Sequence, residues 1–174
     1  YREDEFQELL QYADHIVFNS IHQLKQFGPR GKEAGKSLGL RINPQCSTQE
    51  GHAIYDPCAP GSRMGVTRDV WDKEMDEDTL ALLDGLHFHT LCEQNSDDLK
   101  TTLQAVEEKF GDILTGMKWL NMGGGHHITR PDYDLAALED CIRHAQQAWG
   151  VTVYLEPGEA VALNAGYFVS RVLD

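Results

Sequence analysis

The sequence predicts an α/β protein whose parallel strands form part of a (β/α)₈ barrel of the TIM type. Short apolar runs alternate with longer amphipathic segments, which is the pattern of repeated βαβ units. No hairpin turn joins two of these runs before residue 160, so we expect a parallel sheet with right-handed crossovers. The 174 residues are fewer than the roughly 250 of a complete barrel. We therefore expect a partial barrel from a longer protein, with an open doubly wound sheet as the alternative.

Apolar spacing and capping residues define the elements of the first half. Apolar residues at helical spacing predict a helix over about 3–12, and the run 15–18 predicts the first strand. The Asn-Ser pair at 19–20 can cap a second helix, which we expect the Gly-Pro pair at 28–29 to end. A second strand is expected over 38–42.

The second half opens with a loop over 45–66 that is longer than a plain connection requires, and such loops often carry function. After Glu156 the chain to residue 174 is rich in β-forming residues and predicts further strand structure. The other predicted elements are a helix over about 76–83, a strand over 85–89, a helix over 97–110, a strand over 118–122, a helix over 133–149 and a strand over 151–155.

Charge and cysteine content narrow the class of protein. The formal net charge of −13 disfavours nucleic acid and anionic membranes as partners. No apolar run is long enough to span a bilayer, and the first residues do not resemble a signal peptide, so a cytoplasmic protein is expected. The four cysteines lack a Cys-x-x-Cys spacing, which favours reduced thiols and supplies no local zinc site.

Three stretches share one design, in which an apolar run is followed at once by polar or glycine residues. They are GLHFH at 85–89, WLNMGGGHH at 119–127 and VYLEPGE at 153–159. Functional groups of α/β proteins lie at the carboxyl ends of parallel strands, so the three stretches predict one shared site. No lysine lies at any of these strand ends.

His87 and His89 alternate with Phe88, so both imidazoles are expected on the same side of a strand. Such a pair can bind a metal ion, as in barrel hydrolases, or one ring can lie flat on a planar cofactor. A pair of structural histidines is the third interpretation.

Gly123, Gly124 and Gly125 follow a strand directly, where several backbone N–H groups could converge on a phosphate. A tight turn between a strand and a helix would use the same residues. His126 and His127 could add donors, although histidines in a surface loop are the simpler interpretation.

Glu156 lies where the fifth predicted strand ends, between that strand and Pro157-Gly158. A rigidly held carboxylate against a heteroaromatic nitrogen keeps that nitrogen protonated, as pyridoxal chemistry requires. The alternative is a glutamate that caps the next element. Together, the histidines, the glycines and this carboxylate indicate a pyridoxal phosphate site more specifically than any one of them.

The sequence resembles the pyridoxal-phosphate decarboxylases of the alanine-racemase type (fold III), and among them the branch that acts on carboxynorspermidine or carboxyspermidine in polyamine biosynthesis. The resemblance covers almost the whole chain. It is carried by LRINP at 40–44, SRMGV at 62–66, GLHFHTLCE at 85–93, NMGGGHH at 121–127 and YLEPGEAV at 154–161.

This resemblance implies a role for each motif. His89 would stack on the pyridine ring of pyridoxal 5′-phosphate, Gly123–Gly125 would surround its phosphate, and Glu156 would pair with the ring nitrogen and shape the substrate site. Glu93 and Glu159 are candidates to meet the ammonium groups of a polyamine substrate. Where most relatives read Glu-Pro-Gly-Arg this chain has Glu159, which removes a phosphate-side arginine, and His126 and His127 are the candidate replacements.

The resemblance also implies what a longer protein would add. The Schiff-base lysine of the family lies on an early strand and has no counterpart in this chain, so by itself the chain is expected to be inactive. Residues 1–160 would be the last five βα units of the cofactor-binding barrel, and residues 161–174 would begin the connection to a C-terminal β domain. The intact enzyme would be a homodimer.

Two other functions remain open from the sequence. The first is a metal-dependent barrel hydrolase that uses His87 and His89 as ligands and Glu156 as base. The second is a non-catalytic carrier of pyridoxal phosphate.

Overall fold

The computed structural model describes residues 1–49 and 56–172. Its elements are α1 Glu3–Tyr12, β1 His15–Phe18, α2 Ile21–Glu33, β2 Ser37–Arg41, α3 Arg68–Glu74, α4 Glu77–Leu80, β3 Gly85–His87, α5 Ser96–Leu114, β4 Trp119–Asn121, α6 Leu135–Trp149, β5 Thr152–Tyr154 and α7 Gly158–Ala162.

The strands of the described residues form one sheet in the order β1-β2-β3-β4-β5, and every neighbouring pair is parallel. A doubly wound sheet reverses its strand order at a switch point, whereas a barrel adds each strand beside the one before it. The unbroken order excludes the doubly wound alternative and confirms the prediction of a partial barrel.

The two faces of the sheet pack in different ways. One face carries large apolar side chains that are fully buried, among them Phe18, Leu38 and Phe88, and Leu38 lies against α2. On the other face the indole of Trp119 crosses Gly39 and Gly85, where an added Cβ would lie 2.2 and 2.1 Å from the indole ring. Any side chain at either glycine would therefore displace Trp119.

The prediction that the Gly-Pro pair ends α2 was wrong. The helix continues to Glu33, because Gly28 packs between Leu24 and Leu82, where a Cβ would meet each side chain at 3.0 Å. The burial of this helix face outweighs the missing N–H of Pro29. Two residues after the helix ends, Gly35 has a φ of 73°, which permits a C-terminal cap in which Lys36 N donates to Gly31 O at 2.9 Å.

Three further elements differ from the prediction, because local sequence patterns do not contain the packing that decides them. α3 was missed because Trp71 is its one buried residue, which leaves no apolar periodicity. The acidic helix predicted over 76–83 is shorter, since α4 ends at Leu80. The β-rich prediction after Glu156 was wrong: the chain forms α7, and residues 163–172 contain no strand. Tyr167 and Phe168 are 98% and 95% exposed, so no neighbouring strand pairs with this segment in the described part of the chain.

No helix in residues 1–49 or 56–172 is long and apolar enough to cross a membrane.

Candidate functional site

The carboxyl ends of four neighbouring strands bring polar side chains to one edge of the sheet. Arg41 ends β2, His87 ends β3, Asn121 ends β4, and Glu156 follows β5. Because all four strands are parallel and in register, these residues are neighbours in space. The structure thus brings the three predicted strand-end motifs into one site.

Glu156 is held by its backbone and by one carboxylate oxygen, and its other carboxylate oxygen lies near His87. Asn121 Nδ2 donates to Glu156 Oε1 at 2.8 Å, and His87 Nε2 lies 3.6 Å from Glu156 Oε2. The backbone N–H of Glu156 donates to Gly123 O at 2.8 Å. The side chain still keeps 48% of its surface exposed, so the carboxylate is oriented and accessible.

His89 lies over the glycine run and is tied to β2. Gly124 N donates to His89 Nδ1 at 3.4 Å, and Arg41 Nη2 donates to the carbonyl oxygen of His89 at 3.4 Å. A Cβ at Gly124 would lie 3.2 Å from the His89 ring and 2.7 Å from Glu156 O. Gly124 therefore lies against both the His89 ring and the Glu156 backbone, as the shared site requires.

The glycine run is required by the close approach of two backbones. Gly123 and Gly125 have φ of 70° and 82°, in the left-handed region that favours glycine. An added Cβ would lie 2.5 Å from Phe88 O at Gly123 and 2.2 Å from Leu91 O at Gly125. The glycines thus form the tight turn that was one interpretation of the sequence. The same turn could bind a phosphate, because the N–H groups of Gly125 and His126 find no acceptor within residues 1–49 and 56–172.

His126 and His127 differ from the surface histidines that the sequence suggested. His126 is only 2% exposed, and its Nε2 lies 3.3 Å from Met122 O. The Nδ1 of His127 pairs with Arg130 Nη2 at 2.8 Å. At position 126 it is thus the backbone N–H, rather than the ring, that remains to donate to a ligand.

Burial lowers the pKa of the imidazoles in this site. For His87 it lowers the pKa from its ordinary value of 6.5 to about 4, against the opposing effect of the Glu156 carboxylate. Burial also lowers the pKa of His89, and the charge of Arg41 adds to the effect. Burial lowers the pKa of His126 in the same direction. The three rings are therefore neutral at pH 7.

We expect this arrangement to make the fold sensitive to acid. An unfolded chain binds a proton at His87 near pH 6.5, but the folded chain binds it only near pH 4. The stability from a neutral His87 is therefore complete above pH 6.5 and falls by about 3 kcal/mol as the pH drops toward 4. Urea unfolding at pH 7, 6, 5 and 4 measures this dependence.

The matched variant for this prediction is His87→Gln, which cannot take up the proton. Its free energy of unfolding should change less between pH 7 and 4 than that of the wild type. Equal pH dependence in the two proteins would contradict the prediction. NMR titration of His87 reports the same event directly.

An open cavity of about 780 Å³ lies above this edge of the sheet. His89, Gly125, Glu93 and Glu159 line it, so it gathers residues from three of the predicted motifs. The part of the long loop over 56–64 forms another wall. Residues 50–55 of that loop, which was predicted to carry function, lie outside the described residues.

Sequence reasoning assigned no role to Arg41 or Asn121. Both follow apolar strand residues directly and so carry the same strand-end signal that identified His87 and Glu156. Arg41 also lines the cavity, and burial lowers the pKa of its guanidinium while Glu156 and Cys58 oppose that effect. Both residues lie in motifs that carry the resemblance, LRINP and NMGGGHH, but the resemblance implied no role for either of them.

No lysine lies at the strand ends that form the described part of this site. Lys118 precedes β4 at the opposite edge of the sheet, where Lys118 Nζ and Lys32 Nζ bind the buried Asp84 at 2.8 and 2.6 Å. The other lysines lie on helices or before strands. Within the described ranges, no three His, Cys, Asp or Glu side chains form a group that could hold a metal ion.

Comparisons with known proteins agree with this geometry. A curated carboxynorspermidine/carboxyspermidine decarboxylase from Campylobacter jejuni is 41% identical over 174 residues, which are 100% of this chain and 44% of the relative. A carboxyaminopropylagmatine decarboxylase from Synechocystis is 34% identical over 100% of this chain and 44% of its own length. The chain thus spans less than half of the curated relatives that it matches. No family model matches it.

Solved structures give the same result. The crystal structure of a Campylobacter jejuni carboxynorspermidine decarboxylase complexed with norspermidine aligns with a TM-score of 0.78 and 41% identity over 93% of this chain and 40% of that chain. A diaminopimelate decarboxylase, at 16% identity and a TM-score of 0.67, shares the fold. Over its whole length, the chain is therefore related to the carboxynorspermidine/carboxyspermidine decarboxylases, as its motifs predicted.

Proposed function

We propose that this chain forms the cofactor-binding part of a pyridoxal-phosphate-dependent decarboxylase that acts on carboxynorspermidine or carboxyspermidine in polyamine biosynthesis. The observation that carries the proposal is that the glycine run lies against both the His89 ring and the Glu156 backbone at the carboxyl edge of the sheet. Residues 1–160 would form the barrel part of this enzyme, and residues 161–174 would lead to a further domain.

The residues present fit pyridoxal 5′-phosphate. The N–H groups of Gly125 and His126 are left to donate to a phosphate, since each lacks an acceptor among the described residues. His89 supplies a flat neutral ring beside them, and Glu156 supplies an oriented carboxylate. When bound, the cofactor provides an electron sink for the carbanion that loss of CO₂ leaves behind.

The chain's own residues have separate tasks in such a site. The Glu156 carboxylate would hold a proton on the pyridine nitrogen, and His89 would cover one face of the ring and exclude water from it. Glu93 and Glu159 line the open cavity and can meet ammonium groups of the substrate. The lysine that attaches the cofactor would come from outside these 174 residues, and the active enzyme would be a cytoplasmic homodimer.

The substrate class rests on the names of the relatives. Two relatives are decarboxylases of carboxynorspermidine or carboxyspermidine, and the Synechocystis relative is a decarboxylase of carboxyaminopropylagmatine. The substrates of all three share a carboxylate on a chain that also carries distant cationic groups. The net charge of −13 and the carboxylates of Glu93 and Glu159 in the cavity wall suit such a substrate. The identity of 41% to the Campylobacter jejuni relative, against 34% to the Synechocystis relative, favours carboxynorspermidine and carboxyspermidine over carboxyaminopropylagmatine.

Two measurements test the proposal. Titration with the 174-residue chain should change the absorbance spectrum of pyridoxal 5′-phosphate. The longest natural protein that contains this chain should release CO₂ from carboxynorspermidine and carboxyspermidine faster than from carboxyaminopropylagmatine. Binding by both proteins without release of CO₂ would indicate a cofactor carrier. Stoichiometric zinc without binding of the cofactor would favour the hydrolase and overturn the proposal.

A further inference from the structure

The side chain of Asn121, the last residue of β4, joins the glycine run to Glu156. Its Oδ1 accepts a hydrogen bond from Gly123 N at 2.8 Å, and its Nδ2 donates to Glu156 Oε1 at 2.8 Å. The backbone N–H of Glu156 donates to Gly123 O at 2.8 Å. These three hydrogen bonds close a ring that contains Asn121, Gly123 and Glu156.

The two partners fix the orientation of the Asn121 amide. A backbone N–H can only donate, and an ionised carboxylate can only accept, so Oδ1 must face Gly123 and Nδ2 must face Glu156. Among residues of this size, an amide supplies an acceptor and a donor on one short side chain. Aspartate would keep the acceptor for Gly123 but would face Glu156 with a second negative charge.

The other contacts of Glu156 hold its carboxylate less firmly. His87 Nε2 lies 3.6 Å from Oε2, which is beyond a normal hydrogen bond, and burial keeps that ring neutral. Nearly half of the Glu156 side chain is exposed, so packing does not restrict its rotamer. The bond from Asn121 is therefore the short polar contact that orients the carboxylate.

We propose that Asn121 is a positioning residue that sets the Glu156 carboxylate relative to the glycine run. The inference rests on the proposed function, in which the glycine run binds the phosphate of the cofactor and Glu156 binds its ring nitrogen. Because one side chain fixes both, the distance between the two binding points is set before the cofactor arrives. This preorganisation lowers the cost of binding a ring and a phosphate together.

The isosteric variant Asn121→Asp separates this role from that of a simple turn. It keeps the acceptor for Gly123 N and loses the donor to Glu156. We expect it to unfold near the wild-type midpoint, to keep the Gly123 amide protected from hydrogen exchange, and to bind pyridoxine 5′-phosphate roughly tenfold more weakly. Affinity for inorganic phosphate should stay at the wild-type value, because the glycine run is unchanged.

Two further variants calibrate the measurement. Asn121→Ala should lose the hydrogen bonds to both Gly123 and Glu156. We expect faster hydrogen exchange at the Gly123 amide and weaker binding of both pyridoxine 5′-phosphate and inorganic phosphate. Asn164→Asp makes the same chemical change at an exposed position after α7, and it should match the wild type in all readouts. Wild-type affinity of Asn121→Asp for pyridoxine 5′-phosphate would show that Asn121 serves only the turn and would overturn the inference.

A readout without any ligand keeps the inference separate from the proposed function. NMR relaxation of the Glu156 Cγ methylene should report a single ordered rotamer in the wild type and greater mobility in Asn121→Asp. If the wild type fails to bind pyridoxine 5′-phosphate, the proposed function fails, while the relaxation data still decide whether Asn121 orients Glu156. Equal order in the two proteins would reject the positioning role.

Discussion

Substitution of Gly125 by alanine should lower the free energy of unfolding by about 2–5 kcal/mol. The position has a φ of 82°, which costs an L-residue about 1–2 kcal/mol. The new Cβ would also lie 2.2 Å from the carbonyl oxygen of Leu91, and overpacking of this kind costs about 1–3 kcal/mol more. The opposing atom belongs to the backbone, so a side-chain rotation cannot relieve the overlap. Urea denaturation with a common m-value measures the loss.

Gly150→Ala is the matched control for this prediction. Gly150 has a similar φ of 69° but no atom within 4 Å of an added Cβ, because it ends α6 at the surface. The Gly150→Ala substitution should therefore lower the free energy of unfolding only by the cost of a positive φ in an L-residue, about 1–2 kcal/mol. Equal losses at the two positions would mean that the turn containing the glycine run can relax away from Leu91. The close approach of the two backbones would then not explain the glycine at position 125.

Substitution of Glu156 by glutamine should reduce decarboxylation by the full-length protein roughly 10²–10³-fold, the range for removing one preorganised electrostatic partner. Glutamine keeps the size of the side chain, and its carbonyl oxygen can still accept from Asn121. The variant thus loses the charge that holds a proton on the cofactor ring but keeps the geometry. The loss should fall on kcat, and titration with pyridoxal 5′-phosphate should give an altered absorbance of the bound ring.

Two other glutamates separate this effect from a general loss of negative charge. Glu8→Gln, on the exposed surface of α1, should leave kcat and KM unchanged. Glu159→Gln, which changes the wall of the cavity, should raise KM with little change in kcat, because it removes a substrate contact rather than a partner of the ring. If Glu156→Gln retains wild-type kcat, the carboxylate does not act on the cofactor and the proposed role is wrong.

Several features of this protein were accessible from the sequence because they depend on local patterns. Four of the five described strands lie within a predicted apolar run, and β2 begins one residue before its run, since a buried strand must be apolar over consecutive residues. The strand-end motifs were located correctly because parallel topology places every carboxyl end at the same edge. That rule alone predicts that His89, the glycine run and Glu156 lie at one site.

The tertiary structure decided what depends on contacts between distant residues. Gly28 does not end α2 because Leu82, far along the chain, packs against it, and His126 is buried although its sequence context is that of a loop. The segment after α7 has β-forming residues but no strand beside it. The roles of Arg41 and Asn121 likewise arise from partners on other strands. Local sequence thus determined the elements and the edge of the sheet where the site lies, whereas long-range packing determined which polar atoms meet there, because hydrogen bonds and burial depend on neighbours that only the folded chain provides.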